Sequence, residues 1–275
     1  MLWGADMNNR NTIKQYNEAD VFRILDVKLN SDNISSVENI IKENFTTESL
    51  YCITPINLEL IMLAQKDLRF KRYINEVSDL NTIDGVGIIN VLKWYGISGI
   101  NRVCGSDLAY KIAEISRDNN KKYFILGSAE DVSEQAKIKL KELYKGLEVE
   151  NYSPPYVKSL KFSEEEDKKI RGILREFRPD VLCVAFGAPK QEFWIEEHKE
   201  FLNEIGVKIA IGLGGSFDFI AGKVNRAPEW FKKTGNEWLY RLIKEPKARF
   251  RRQITTIPIY YLLCFLEYIK RGCHE

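Results

Sequence analysis

The chain has 275 residues, of which 44% are hydrophobic and 29% are charged. This composition excludes a wholly disordered protein, and the length suits one large domain or a domain with an appendage. The net charge of +2 predicts neither a nucleic-acid nor a membrane partner, but it is unevenly distributed, because residues 223–275 contain 12 basic and 5 acidic residues while residues 1–222 are acidic overall.

The cysteine and histidine content limits the possible metal and redox sites. The five cysteines form no C-x-x-C pair, which predicts neither a zinc motif nor a disulfide framework and favours a reducing cytoplasm. The two histidines are His198 and His274, so a His-rich metal site is excluded. His198 lies in the polar run 196–199, and we expect it on a solvated helix face.

The two ends of the chain indicate neither a signal peptide nor a membrane span. The N-terminus lacks a basic flank followed by an apolar core, so no signal peptide is expected. The charge-free run 253–266 has 14 residues and contains Pro258, whereas a helix needs about 20 residues to cross a bilayer. The sequence therefore predicts a cytoplasmic protein and leaves an interfacial segment open.

The first 120 residues predict short strands and helices in irregular order. We expect a strand at 21–25, a helix near 35–45 and a short strand at 51–53 that ends at Thr54-Pro55. Apolar residues at helical spacing predict a helix over 58–73, and Asp84 follows this helix in a turn. A further helix is expected over 108–115, with Asp107 as its N-cap.

The middle of the chain predicts a sheet. Apolar runs at 123–126, 147–151, 180–186 and 207–211 alternate with helical stretches, one of which begins at Ser163 with a capping box. Such runs indicate a parallel sheet covered by helices on both faces, hence an α/β fold. Three of these strands end at Gly127, Gly187 and Gly212, and ligands bind beyond the carboxyl ends of parallel strands, so we expect the site there.

Four polar segments are candidates for that site, and each has a purely structural alternative. The loop 212–216 can form a phosphate-binding nest or only a tight turn, and it matches neither G-x-G-x-x-G nor G-K-[ST]. Asp84 can be a general base or part of a turn, and Arg102 can bind phosphate or join a surface ion pair. The run 190–192 opens a helix after Pro189, so its side chains are expected to point into the crevice.

Residues 223–275 are predicted to form an amphipathic helical appendage to a body of residues 1–222. Apolar positions 238, 239, 242 and 243 form one helical stripe, and basic residues such as Arg241 and Lys244 are interleaved with the apolar residues of this segment. Such a helix suits an anionic membrane surface, although a terminal helix packed on the body is the alternative. Nucleic-acid binding is not expected, because the acidic body would oppose it.

Several motifs in a fixed order resemble one family of glycosyltransferases. The matching segments are TPIN (54–57), DGVG (84–87), RVCGSD (102–107), FGAPKQE (186–192), GLGGSFDF (212–219), GKVNRAP (222–228), EWLYRL (237–242) and EP (245–246). Over residues 50–252 the chain is thereby similar to the WecG/TagA/CpsF family, also called glycosyltransferase family 26. The resemblance implies a Rossmann-like α/β core with a C-terminal appendage that docks on the membrane.

The same resemblance implies a reaction and its partners. Family members move a sugar from a nucleotide diphosphate to a sugar on a polyprenyl diphosphate, and the best-known ones move N-acetylmannosamine or its uronic acid from UDP to lipid-linked N-acetylglucosamine. Their products feed wall teichoic acid, enterobacterial common antigen or capsule. The implied partners are a UDP-sugar, a polyprenyl-diphosphate-linked acceptor and the anionic inner face of the cell membrane, with no cofactor. A homo-oligomer is left open.

The resemblance also assigns roles to residues. Asp84 corresponds to the proposed catalytic base. The implied substrate contacts are Thr54, Asn57, Arg102, Gln191, Gly214 and Gly215, with Asp218 near the nucleoside. The implied contacts to lipid diphosphate or membrane are Arg241, Arg249 and Arg252. The chain departs from the family pattern in having Thr-x-x-Asn where Thr-x-Asn is expected, and Ile83 where a small residue usually precedes Asp-Gly.

The residues themselves favour a metal-independent mechanism. The chain has no D-x-D motif and little histidine, so no divalent-metal donor site is expected, and Arg, Gln and backbone N–H groups must stabilise the leaving diphosphate. Asp84 would deprotonate the acceptor hydroxyl, which attacks in line and inverts the anomeric configuration. The alternatives are another donor sugar such as glucose or a uronic acid, a nicotinamide-dependent oxidoreductase, and a non-catalytic module that binds UDP-sugars at the membrane.

Overall fold

The computed structural model describes residues 21–159, 161–224 and 246–272, the last segment with side chains from residue 255 to residue 270. The strands are β1 (Val21–Ile24), β2 (Val27–Asn30), β3 (Tyr51–Ile56), β4 (Leu80–Ile83), β5 (Tyr123–Gly127), β6 (Val149–Tyr152), β7 (Val181–Ala185) and β8 (Ile209–Gly212). β1 and β2 form an antiparallel hairpin. The other six form one parallel sheet in the order β4-β3-β8-β7-β5-β6.

Helices cover both faces of the parallel sheet. They are α1 (Ile34–Asn44), α2 (Leu58–Ala64), α3 (Leu68–Arg72), α4 (Val86–Trp94), α5 (Gly105–Asp118), α6 (Glu130–Leu143), α7 (Glu164–Phe177), α8 (Lys190–Glu197), α9 (Lys199–Glu204), α10 (Ser216–Ala221) and α11 (Pro246–Gly272), and a π-helical turn at Tyr73–Val77 follows α3. α1, α5, α6 and α10 pack on one face and α7, α8 and α9 on the other, while α2, α3, α4 and α11 enclose a third cluster beside β3 and β4.

The side chains of each central strand alternate between the two faces. In β5, Tyr123 and Ile125 pack under α5 and α6, whereas Phe124 and Leu126 pack under α7. Every residue of β5 is buried, which is typical of a parallel sheet covered on both sides. The predicted α/β class, with a parallel sheet between helices and a C-terminal helix, is confirmed.

The first 80 residues differ from the predicted elements at three places. Strand β3 continues through Thr54 and Pro55 to Ile56, so the predicted end of this strand is wrong. Leu25 and Asp26 adopt left-handed φ values of 51° and 58°, which form a hairpin turn, so the predicted single strand continues into a second one. The predicted helix over 58–73 is divided, because the Asp67 side chain accepts a hydrogen bond from Phe70 N at 3.0 Å and caps a new helix there.

Strand β4 lies between the divided helix and Asp84, so the prediction that Asp84 follows a helix is wrong. The strand contains two polar residues, and both are buried. Asn81 Nδ2 donates to the Ile74 carbonyl at 2.9 Å, and the Thr82 hydroxyl donates to the Val103 carbonyl at 3.1 Å. The Asn81 amide nitrogen and the Thr82 hydroxyl therefore have partners inside the protein, as buried polar groups usually do.

Helix α11 packs its buried side on α2 and α4. Tyr260 and Cys264 are buried there. The Tyr95 hydroxyl donates to Glu267 Oε2 at 2.8 Å, and the same oxygen accepts from Leu25 N at 2.9 Å. Within the described ranges, no helix has the length and apolar content that crossing a membrane requires. The division of the chain at residue 222 stays a prediction.

Candidate active site

The carboxyl ends of the parallel strands lie at one edge of the sheet. Successive strands are added toward one side of the sheet in its first half and toward the other side in its second half. The chain runs from β3 outward to β4 on one side and from β5 outward to β6 on the other, and β7 and β8 occupy the centre. Such a reversal leaves a crevice beyond the strand ends. The loops after β3, β4, β7 and β8 border this crevice and contain most of the predicted site residues.

Asp84 follows β4 at this edge. Its N–H donates to the Ile56 carbonyl at the end of β3 at 2.7 Å, and its Oδ2 accepts from Gly105 N at 3.0 Å. Gly105 is the first residue of α5. The carboxylate therefore lies at the positive end of a helix dipole. The structure places a partly exposed acid at the edge of the crevice, as a general base requires.

Close packing brings the start of α5 to the end of β4. Val103 N donates to the Ile83 carbonyl at 2.9 Å, which aligns the segment before α5 with the strand. A Cβ at Gly105 would lie 3.3 Å from Pro55 Cγ. A glycine at this position therefore allows the helix to begin in contact with β3.

Cys104 occupies the N-cap position of α5, so the prediction of Asp107 as the N-cap is wrong, and Asp107 lies in the first turn. The Cys104 thiol donates to Asp107 Oδ2 at 2.8 Å, and Arg102 Nη2 lies 3.9 Å from the sulfur. Burial, and after it the negative charges of Asp84 and Asp107, raise the pKa of this thiol to about 12. The structure thus brings Arg102 and Asp84 together around a neutral thiol.

The predicted contacts on β3 and in its loop lie at different depths. Asn57 caps α2, because its Oδ1 accepts from Leu60 N at 3.0 Å. A Cβ at Gly85 would lie 3.8 Å from Asn57 Cα, so Asn57 adjoins the loop after β4. Thr54 is 1% exposed, and its hydroxyl lies 2.8 Å from Ser78 Oγ. Thr54 is therefore buried within the sheet, below the strand ends that border the crevice, and its hydroxyl contacts Ser78.

Gln191 joins the loops after β7 and β8. Its Oε1 accepts from Gly187 N and Gly214 N, both at 3.1 Å, and its Nε2 donates to Glu192 Oε1 at 2.8 Å. A Cβ at Gly212 would lie 2.6 Å from Gln191 Nε2, which is closer than such atoms approach. An alanine at the end of β8 would therefore displace the Gln191 side chain, which joins two loops of the crevice through its hydrogen bonds.

The glycine loop after β8 contacts both α10 and α5. Gly214 has a left-handed φ of 48°, and a Cβ at Gly215 would lie 3.1 Å from Asp218 Oδ2. Asp218 lies in the first turn of α10. A Cβ at Gly105 would lie 3.4 Å from Leu213 Cδ2, so the loop adjoins the start of α5. The glycine loop and the candidate base therefore border the same crevice.

The predicted contacts to lipid diphosphate lie near the C-terminus. Arg241 lies outside the described residues, as does the predicted apolar stripe at 238–243. Arg249 and Arg252 lie in the first half of α11, where the structure describes the backbone only. Their roles stay predictions.

Two ionisable residues of α8 are buried, which sequence reasoning missed. Burial lowers the pKa of Lys190, whose Nζ lies 3.7 Å from the centroid of the Phe162 ring. Burial raises the pKa of the Glu192 carboxyl to about 7. The signal for this burial was the apolar run 193–195 that follows directly in the sequence.

His198 does not lie on a solvated helix face, so that expectation was wrong. Its ring stacks on Trp194 with the centroids 4.2 Å apart, and its Nε2 lies 2.9 Å from Asp167 Oδ1. The His198 side chain is 12% exposed. These contacts join α8 to α7, so His198 has a structural role.

In the described part of the chain, the residue types that commonly ligate metals do not form a cluster. Across residues 21–159, 161–224 and 255–270, no group of three or more His, Cys, Asp or Glu is placed to hold a metal ion. The four cysteines in this part are free thiols. Independence from metal stays a prediction.

Known proteins are similar to this chain over most of its length. The sequence model of the glycosyl transferase WecG/TagA/CpsF family matches residues 22–273. A Bacillus spizizenii protein named N-acetylglucosaminyldiphosphoundecaprenol N-acetyl-beta-D-mannosaminyltransferase is 32% identical over 208 residues, which are 76% of each chain. Proteins of the same name are 28% identical over 240 residues in Bacillus subtilis, covering 86% of this chain and 88% of the relative, and 29% identical over 233 residues in Staphylococcus aureus, covering 84% and 86%.

The match includes every loop that borders the crevice. Asp84, Gln191 and the glycine loop all lie within the matched residues. The resemblance inferred from separate motifs is therefore confirmed over nearly the whole chain. This chain belongs to the WecG/TagA/CpsF family of glycosyl transferases.

Proposed function

We propose that the chain transfers N-acetylmannosamine, or a related sugar, from a UDP-sugar to N-acetylglucosamine on a polyprenyl diphosphate during synthesis of teichoic acid or another bacterial surface polysaccharide. The observation that carries this proposal is the Asp84 carboxylate, which Gly105 N holds at the carboxyl edge of the sheet in a member of this family. The names of the relatives support the same sugar and the same acceptor.

Asp84 is the general base in this proposal. The hydrogen bond from Gly105 N fixes Oδ2, and a carboxylate has lone pairs for several donors, so it can also accept from the acceptor hydroxyl. The hydroxyl oxygen bonds to the anomeric carbon as the bond to UDP breaks, its proton passes to Asp84, and the configuration inverts. The Cys104 thiol stays protonated at neutral pH because of its raised pKa, so it offers no competing nucleophile.

Side chains and backbone N–H groups stabilise the leaving diphosphate in place of a metal ion. Arg102 lies in the cluster around Cys104 and is the cation that we assign to this role. The backbone of the glycine loop adds N–H donors. Gln191 holds that loop because its Oε1 accepts a hydrogen bond from Gly214 N. We assign its Nε2 to a direct contact with the UDP-sugar.

The substitution Asp84→Asn tests the base. The amide keeps the size of the side chain but cannot take a proton at neutral pH, so we expect the transfer rate to fall by about 10²–10⁴. We expect little change in UDP binding, because the substitution removes proton transfer and keeps the fold. The rate is measured with UDP-N-acetylmannosamine and a short-chain lipid-linked N-acetylglucosamine, and UDP binding by calorimetry.

Asp118→Asn is the matched control for this experiment. Asp118 is the last residue of α5, and its side chain is 54% exposed. This variant is expected to keep the wild-type rate. A fully active Asp84→Asn protein would show that another group takes the proton and would contradict the proposal.

We place the enzyme on the inner face of the membrane, attached through its C-terminal segment. α11 exposes a row of large apolar side chains, and Trp94 of α4 lies next to this row, with its ring centroid 5.4 Å from that of Tyr261. The exposed residues of the row are Ile259, Leu262, Phe265, Leu266, Tyr268 and Ile269. An interfacial helix buries such side chains among lipids, and the basic residues of 223–275 add attraction to anionic headgroups.

A further inference from the structure

Glu192 is a buried acid that the proposed reaction does not use. It lies in the first turn of α8 and is 1% exposed. Its Oε1 accepts from Gln191 Nε2 at 2.8 Å, and its Oε2 is buried without a hydrogen-bond partner among the described residues. Burial disfavours the charged carboxylate and outweighs the hydrogen bond from Gln191, which favours it, so the neutral acid is favoured here.

The hydrogen bonds to Glu192 and to the glycine loops all fit the same orientation of the Gln191 amide. Because Nε2 is turned toward Glu192, Oε1 accepts from Gly187 N and Gly214 N, both at 3.1 Å. The reversed amide would place its NH₂ group against two N–H donors and break both hydrogen bonds. Through Gln191, Glu192 is therefore connected to the contact between the loops after β7 and β8.

The two side chains are packed against the end of β8. A Cβ at Gly212 would lie 2.6 Å from Gln191 Nε2 and 3.0 Å from Glu192 Oε1. The pair thus fills the space above the last residue of the strand. A movement of either side chain toward solvent would consequently disturb the glycine loop.

We propose that Glu192 is a positioning residue, whose uncharged carboxyl holds the Gln191 amide in the orientation that joins the two loops and whose ionisation releases them. One proton passes from Glu192 to solvent, and the charge that remains is relieved when the side chain turns toward water. The proposal rests on the proposed function only in that these loops bind the UDP part of the donor.

The groups packed around Glu192 supply no compensating positive charge within the described residues. The phenol of Tyr73 faces it from the π-helical turn, and burial raises the pKa of this phenol well above its usual value, so it is neutral. Lys190 lies over an aromatic ring, and Lys199 of α9 interacts with a different acid. Cys183 of β7 belongs to the cluster on the other face of the sheet. The remaining charged residues of α8 and α9 are the acids Glu196, Glu197, Glu200 and Glu204.

The raised pKa of Glu192 gives a pH dependence of defined sign. The ordinary glutamate pKa is 4.5, and burial raises it to about 7 in the folded chain. The stability that Glu192 contributes is therefore fully present below the lower value and is lost as the pH rises through the higher one. Above that range Glu192 is charged in the folded protein, whereas a glutamine at this position stays neutral.

The substitution Glu192→Gln tests the proposal, with Glu204→Gln as the matched control because the Glu204 side chain is 65% exposed. Between about pH 5.5 and about pH 8 we expect the Tm of Glu192→Gln to gain at least about 2 °C on the wild type. Over the same range we expect the wild-type affinity for UDP to fall by up to about tenfold, as the joined state is depopulated, while Glu192→Gln keeps its affinity. Glu204→Gln is expected to follow the wild type.

Three results would overturn the proposal. They are a Tm difference that does not change with pH, a UDP affinity of Glu192→Gln that falls as in the wild type, and loss of UDP binding by Glu192→Gln at about pH 6, which would show that the carboxyl group itself is needed. Both measurements use the full chain without turnover. A wild-type chain that does not bind UDP at all would count against the proposed function, and the unfolding measurement alone would then decide the role of Glu192.

Discussion

At the scale of single residues, close approach explains the glycine that ends β8. Gly212 is not among the glycines with a left-handed φ, yet a Cβ there would lie 2.6 Å from Gln191 Nε2. The Gln191 amide needs this space to join the two loops. The glycine-rich sequence indicates a phosphate nest or a tight turn, and neither interpretation predicts this contact.

The substitution Gly212→Ala is therefore expected to destabilise the protein and to weaken UDP binding. The added methyl group displaces Gln191, which breaks two hydrogen bonds of about 0.5–1.5 kcal/mol each, so the free energy of unfolding should fall by about 1–3 kcal/mol. Urea denaturation measures this change. Gly172→Ala in α7 is the matched control, because nothing lies within 4 Å of the added Cβ and alanine favours a helix by about 1 kcal/mol. Equal losses in both variants would refute this account of Gly212.

The position of the site could be predicted from the sequence, but its internal contacts could not. Asp84, Gln191 and the glycine loop each follow a strand, and parallel strands present their carboxyl ends at one edge. The apolar run 193–195 signals that the start of α8 is buried, but the contacts of 190–192 depend on loops that are brought together only in the fold. The hydrogen bonds that Gln191 makes to the two loops and to Glu192 therefore could not be predicted from local patterns.

At the scale of elements, the described strands differ in how readily the sequence predicts them. β5, β7 and β8 are continuous apolar runs, because the sheet is covered on both faces. β4 is equally buried but contains Asn81 and Thr82, whose hydrogen-bond partners lie 7 and 21 residues away. A polar strand of this kind has no local signal, since the partners that make its burial possible are distant in sequence.

Helix α11 has a buried side and an exposed apolar side, and this determines how its role can be tested. Tyr260 and Cys264 belong to the core cluster between α2 and α4. A chain that ended at residue 222 would expose that cluster, so a change in its behaviour would not report on membrane binding alone. Substitutions on the exposed side of the helix avoid this problem.

The double substitution Leu262→Gln and Phe265→Gln tests the exposed side. These side chains are 56% and 50% exposed, and burying each in lipid contributes about 1.5–3 kcal/mol. We expect sedimentation with anionic vesicles to weaken at least about tenfold, with an unchanged Tm. Ile138→Gln and Leu143→Gln on α6 are the matched pair, since both residues are exposed and apolar but lie away from α11. Equal vesicle binding by all these proteins would rule out α11 as the membrane contact.

At the scale of the whole molecule, the small net charge conceals an uneven distribution of charge along the chain. Residues 1–222 are acidic overall and contain the crevice, whereas the basic residues 223–275 include α11. α11 packs on α2 and α4, which begin directly after the loops of Asn57 and Asp84, and Tyr261 Oη lies 3.5 Å from where a Cβ of Gly87 would be. A lipid-linked acceptor, with its hydrocarbon in the membrane and its sugar outside, suits this arrangement.

The central claim is tested most directly by formation of the lipid-linked disaccharide. Wild-type protein is incubated with a panel of UDP-sugars and a short-chain diphosphate-linked N-acetylglucosamine, with and without EDTA, and the product is analysed by mass spectrometry and NMR. We expect transfer from UDP-N-acetylmannosamine, at the same rate in EDTA, with the anomeric configuration opposite to that of the donor. Binding of UDP-sugars without transfer of any of them to this acceptor would contradict the account.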